Sequence, residues 1–291
     1  MVYDEYMKSK LSLLFLTPMI LFTSSCNQTK PEEPPVEKDP IPVDVVIISG
    51  QSNGVGCTFS KEIKNSIGAT AYSDYMRGFP GIKIAYDCWT KDGTKFYSQN
   101  VSKNDNFVKV MLGQGNSLST FGPEIGIAEA LNEKYSDKLF LIKYACGASN
   151  LKDDWLKKDS PMYPRLIKYV QKQIQNLKDA GYAPTIKAFC WMQGEGDSYD
   201  GYYQDYYANT AEFVSNLRED LKEFAGNKDL PFIDAGISNA SVWQYYRKVN
   251  EAKAQFAAES DINIYINYTE EQAFTEGFKA AMRLMAQCVS S

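Results

Sequence analysis

Five short runs in this chain are apolar almost without a break: VDVVIIS (43–49), LFLIKYA (139–145), IKAFCWM (186–192), PFIDAGIS (231–238) and INIYIN (262–267). A strand with one wet face alternates apolar and polar residues, so runs of this kind predict strands buried on both faces. Helical stretches lie between them: 123–135 opened by Pro123, 164–181 closed by Gly181, 202–226 and 242–259, with a last one at 271–287. Strand–helix alternation predicts a mainly parallel five-stranded sheet with helices on both faces, and ligands bound beyond the carboxyl ends of the strands. At 291 residues and 44% apolar content the chain can bury one large core. The stretch 57–122 is poorer in regular signal, and long loops plus a short hairpin from IKIAYDCW and TKFYSQN are expected there.

The chemistry stands just after the strands. The first run ends in Gly50-Gln51-Ser52-Asn53, the second in Ala145-Cys146-Gly147-Ala148-Ser149-Asn150, and the third in Gln193-Gly194-Glu195-Gly196-Asp197. A hydroxyl on a sharp turn, glycine loops with free N–H groups, and amides beside carboxylates are the parts acyl transfer uses. Each is also an ordinary strand-to-helix loop when taken alone: Gln193 and Asn150 could cap turns, Asp197 could cap a helix, and Trp155 and Trp191 could be core rings. Two other readings of Gly50-x-Ser52-x-Gly54 exist. The elbow of an α/β-hydrolase normally lies mid-chain and needs a histidine, and a phosphate loop would end in Gly-Lys-Ser/Thr.

Residues 1–26 read as a signal peptide whose true start is Met7: Lys8 and Lys10 precede the apolar LSLLFLTPMILF, too short to span a bilayer comfortably. Thr23-Ser24-Ser25-Cys26 resembles the lipobox of bacterial lipoproteins, which implies lipidation at Cys26 and a place in the bacterial cell envelope, anchored to the membrane; a plain secretory signal is the alternative. Residues 27–42, rich in Pro and Glu, read as an extended linker, and 43–291 as the folded domain. The other five cysteines are odd in number and without a CxxC pair, so neither a disulfide framework nor a metal site is expected, and no cofactor. A net charge of −5 without a basic stripe argues against nucleic acid as a partner. Twenty Tyr and four Trp suit a carbohydrate ligand as well as a core.

GQSN after the first strand, FGPEIGIAEAL (121–131), KYACGASNLKDDW (143–155) and WMQGEGD (191–197) resemble the successive blocks of the sialate O-acetylesterase-type carbohydrate esterases, a branch of the SGNH hydrolases. FVSNLREDL, LPFIDAGIS and VNEAKAQF continue the likeness in order, over about residues 43–260. The resemblance implies a single three-layer α/β/α domain of flavodoxin-like type and hydrolysis of acetyl esters on sugars. It implies Ser52 as nucleophile, and an oxyanion hole from the N–H groups of Ser52 and Gly147 and the amide of Gln193. Glu195 becomes the acid partner of the base, while Gln51, Asn53, Asn150, Asp154, Trp155 and Asp197 shape the substrate pocket. Gly54 departs mildly from the pattern, where methionine is common.

The larger departure is at the carboxyl end. The family carries its base on a D-x-x-H block, and alignment on the last helix sets Thr269 and Gln272 at those two positions. No register restores the histidine, because the 291 residues contain none. An amide does not titrate usefully, so Gln272 is not a base. Glu195 or Asp197 would need a pKa raised by burial from about 4, and Lys143, set in a strand, is a further candidate. Two functional readings follow: a carbohydrate O-acetylesterase acting through Ser52, or a pseudoesterase that binds carbohydrate at the cell surface without turnover.

Overall fold

The computed structural model describes residues 39–267 apart from 94, 136, 158–159 and 227; the expected signal segment with Cys26 and the stretch with Gln272 lie outside the described residues. All five anticipated strands form. They are β1 (Ile41–Gly50), β6 (Leu139–Gly147), β7 (Tyr182–Met192), β8 (Phe232–Ala235) and β9 (Asn263–Ile266), mutually parallel where they pair. The sheet is nevertheless larger than five strands. The hairpin expected from 82–100 extends to β3 (Phe79–Asp92) and β4 (Lys95–Val110) and joins the sheet, with β3 parallel to β6 and β4 antiparallel at the edge. Among the described residues the order is β4-β3-β6-β1-β7-β8-β9, seven strands, and a separate two-stranded ribbon pairs β2 (Thr58–Phe59) with β5 (Thr120–Phe121).

The helices follow the periodic stretches closely. They are α3 (Pro123–Tyr135), α4 (Met162–Asp179), α5 (Tyr206–Leu221) and α6 (Tyr246–Ala257). A further helix, α2 (Ser60–Arg77), occupies part of the stretch expected as loop, in two pieces that meet at Gly68 with φ +81°. A four-residue helix, α1 (Ser52–Val55), follows β1 directly.

Alternation along β1 divides the core. Val43, Val45 and Ile47 face α4 and α5 among the rings of Trp155, Phe189, Trp191, Phe213 and Phe232, while Val46 and Ile48 face the side of α3 with Ile125, Ala128 and Leu131. Trp155 meets Trp191 edge-on at 5.2 Å between centroids, and Trp191 meets Phe213 at 4.7 Å. Each such fully buried side chain stabilises the fold by about 1.5–3 kcal/mol through area removed from water. These layers matter for function because β6, β1 and β7 are neighbours at the centre of the sheet. The three loops singled out in the sequence therefore emerge side by side at its carboxyl edge, where the strand order reverses around β1.

Candidate active site

At the end of β1 the backbone turns with no room to spare. Gly50 has φ +138°, and a Cβ there would sit 2.1 Å from the Met192 carbonyl oxygen of β7. Only glycine fits, and the chain then enters α1 with Ser52 as its first residue. The N–H groups of a first helical turn have no intrahelical acceptor, which leaves that of Ser52 free of an i−4 carbonyl. Ser52 is half-buried, and among the described residues its Oγ has no hydrogen-bond partner.

The side chains on either side of Ser52 tie the turn to the loop after β7. Gln51 is buried; its Oε1 accepts from Gln193 Nε2 (3.2 Å), Gly194 N (3.2 Å) and Gly196 N (3.1 Å). Asn53 Nδ2 donates to Glu195 Oε1 at 2.6 Å. The loop after β6 is tied in as well: Asp197 Oδ2 accepts from Leu151 N (2.8 Å) and from Gln193 Nε2, and Oδ1 from Lys152 N (3.4 Å). Where these two loops touch, a Cβ on Gly196 would lie 2.5 Å from the Ser149 carbonyl oxygen. Ala148 beside Gly147 holds a left-handed φ of +59°, a strained conformation for a residue with a side chain.

Several residues expected in the pocket prove to be its framework. Trp155 is fully buried and donates from Nε1 to Ser149 Oγ (2.8 Å), which itself donates to the Cys146 carbonyl (2.7 Å). Asn150 caps the single turn Leu151–Trp155, its Oδ1 accepting from Asp153 N at 2.7 Å. Asp154 accepts from Asn150 N (2.9 Å) and from Lys91 Nζ at 2.9 Å to both oxygens. Gln193 is fully buried: its two amide hydrogens go to Gln51 and Asp197, and its Oε1 accepts from Tyr206 OH at 3.2 Å. An amide has two hydrogens to give, so in this geometry the Gln193 side chain has none left for an oxyanion. The positions of these three loops that solvent reaches are Ser52, Asn53, Gly147, Ala148 and Gly196.

Two carboxyls under this surface are perturbed. Burial pushes the Asp197 carboxyl up to about 6, against the opposing pull of its three N–H donors. Burial likewise raises Glu195 above the ordinary carboxylate range, although Asn53 and the charge of Lys253 act the other way. Glu195 Oε2 is buried with no hydrogen-bond partner, whereas Oε1 holds Asn53. Lys253 itself is buried and ion-paired to Asp234 beneath Gly194.

Lys143 is not free to serve Ser52. Its Nζ donates to Glu124 Oε2 (2.8 Å), the Val55 carbonyl (3.1 Å) and the Gln114 carbonyl (2.6 Å), three acceptors for three hydrogens. Lys143 and Glu124 are both fully buried, and Glu124 Oε1 accepts from Gly122 N at 2.8 Å. This clamp under α1 is a site element that the sequence reading missed. Its signal was a lysine inside an apolar strand, which demands a buried partner. Among the described residues no cluster of three or more Cys, Asp or Glu is placed to hold a metal ion, and no helix is long and apolar enough to cross a membrane.

A serine at the head of a short helix, on the central strand of a parallel α/β/α sheet and flanked by the loops of both neighbouring strands, is the layout of the SGNH-type hydrolase fold. The family described as carbohydrate esterase, sialic acid-specific acetylesterase, matches residues 42–272, and the chain belongs to that family. Solved structures agree at the level of fold. A protein from Arabidopsis thaliana superposes with a TM-score of 0.59 at 22% identity, covering 86% of this chain and 98% of its own. NanS gives 0.53 at 15%, covering 81% of each chain. A carbohydrate acetylesterase from Xanthomonas citri gives 0.51 at 12%, covering 85% of this chain and 54% of its own. No curated protein matches by sequence.

Proposed function

We propose that this chain removes acetyl groups from O-acetylated sugars through Ser52, with the Glu195 carboxylate as the base. The observation that carries the reading is the pairing of a solvent-reached Ser52, free of partners among the described residues, with a buried carboxylate joined to its neighbour Asn53, whose second oxygen is unpartnered. Ser52 Oγ attacks the acetyl carbon as its proton passes to Glu195, directly or through one water. The oxyanion that forms is held by the N–H groups of Ser52 and Gly147. As the carbon–oxygen bond to the sugar breaks, the proton returns to the sugar oxygen. Water then opens the acetyl-serine by the reverse roles, releasing acetate.

A carboxylate base works ionised, and burial raises the Glu195 pKa. The rate of acetate release is therefore expected to climb with pH above the ordinary carboxylate range, on one ascending limb. Glu195→Gln is expected to flatten that limb and to lower the rate by about 10²-fold or more, the usual worth of a positioned base. A wild-type profile flat with pH, or a Gln variant as fast as wild type, would remove Glu195 from the role.

The absence of histidine from the 291 residues favours one other reading, in which the pocket binds an acetylated sugar without turning it over. The two are separated by product: binding heat with an O-acetylated sugar and no acetate release selects the second. We propose further that lipid on Cys26 holds the domain at the bacterial envelope, supported by the small residues before Cys26 and the Pro- and Glu-rich sequence after it. Cys26→Ser is expected to move the protein from the detergent phase to the aqueous phase in a detergent partition; equal partition of both forms would refute the anchor.

A further inference from the structure

A cavity of about 490 Å³ opens on the α4 side of the sheet, between α4 and the strands β6, β3 and β4, and its lining includes none of the residues of the Ser52 loops. Its volume lies within the range of small-molecule sites. Its walls include Trp89, Tyr144 and Tyr169, and two polar atoms of these walls are buried without a partner: the Tyr144 hydroxyl and the Trp89 Nε1–H. The Tyr144 residue is only 1% exposed. Leaving such groups unpaired is costly, and an indole N–H can only donate.

The charge of this cavity contrasts with the acidic chain. Its four cations outnumber its two acids, and each acid already has a cation: Asp87 with Lys103 at 3.5 Å and Asp105 with Lys172 at 3.3 Å. Arg165 and Lys168 are left with no described carboxylate in ion-pair range. The Arg165 guanidinium lies over the Trp89 ring at 4.8 Å, which holds it at the mouth.

We infer that this cavity binds a sugar acid, a polyhydroxylated ring bearing one carboxylate, independently of the Ser52 site. The carboxylate pairs with Arg165 and Lys168, a bidentate partner and a point charge. The ring's oxygens accept from Trp89 Nε1 and exchange hydrogen bonds with the Tyr144 hydroxyl. Its hydroxyl groups donate to Asp87 and Asp105, carboxylates that only accept when ionised. An uncharged sugar lacks the anion, an aromatic acid lacks the hydroxyls, and an inorganic anion lacks the ring.

Four probes test this by calorimetric titration: glucuronate, glucose, benzoate and inorganic phosphate. Glucuronate is expected to bind saturably with a dissociation constant of about 1 mM or tighter, and the other three at least about tenfold more weakly. The double variant R165Q/K168Q changes two exposed side chains and is expected to keep the fold while weakening glucuronate at least about tenfold. Ser52→Ala is expected to bind glucuronate as wild type does. No saturable binding, equal binding of any other probe, an unaffected double variant, or loss of binding in Ser52→Ala would each overturn the inference.

Discussion

Ser52→Ala is expected to reduce acetate release from an O-acetylated sugar at least a hundredfold while leaving the melting temperature nearly unchanged, because the half-buried hydroxyl holds nothing in place among the described residues. The informative comparison is with Glu195→Gln and with the double variant. Residues that act as one unit are strongly non-additive: once either is gone, the other has nothing left to do. If Ser52 and Glu195 form a nucleophile–base pair, the double variant should be no slower than the slower single one. An enzyme that has lost a triad member retains about 10³–10⁴-fold catalysis over water from its oxyanion hole and binding alone. Were the wild type already at that floor, both single variants would match it, and the non-hydrolytic reading would stand. A steady-state assay of the four proteins decides between these outcomes.

The largest expected effect on stability is at Lys143→Met. Removing the lysine leaves Glu124 fully buried without its counter-charge and strips the donor from the Val55 and Gln114 carbonyls. Breaking one side of a buried pair costs about 3–5 kcal/mol, against a total stability of about 5–15 kcal/mol for an ordinary domain. For a chain of this size each kcal/mol lowers the melting temperature by about 2–4 °C. A drop of about 10 °C in thermal unfolding is the expected result. Adding Glu124→Gln should restore part of the loss, since a neutral amide can still accept from Gly122 N without an unpaired charge. A double variant less stable than Lys143→Met alone would show that the cost lies in packing and not in the stranded carboxylate. Because Val55 ends α1, the same substitution should also loosen the Ser52 turn.

The parallel sheet was legible because a strand buried on both faces has to be apolar throughout, and five runs announced this. β3 and β4 were under-read for the same physical reason. On β3, next to the edge strand, the side chains of Lys83, Asp87 and Lys91 reach water or an ion pair, so the apolar signal thins although the strand continues. Helix α2 was missed because its apolar stripe is weak and Gly68 interrupts it. In the candidate site, the blocks pointed to three loops that the structure brings together, but not to the direction each side chain faces. An amide or carboxylate in a loop says that it needs a partner, not whether that partner is a ligand or another loop. Gln51, Gln193 and Asp197 satisfy one another, and Trp155 belongs to the core. Sequence blocks of this kind mark both what touches substrate and what holds it, and only geometry separates the two.

The long antiparallel edge strand has a consequence for the protein in company. An unpaired strand edge invites a second chain to add on, and β4 runs for sixteen residues along one margin of the described sheet, with no partner strand on its outer side among the described residues. Lys95, Lys103, Asp105 and Lys109 are exposed along it, so a copy approaching to extend the sheet would have to bury charge. At the opposite margin of the described sheet, β9 is only four residues long and has little backbone to share. Copies of the chain that meet at high concentration thus find, at both margins of the described sheet, edges that discourage stacking into fibres.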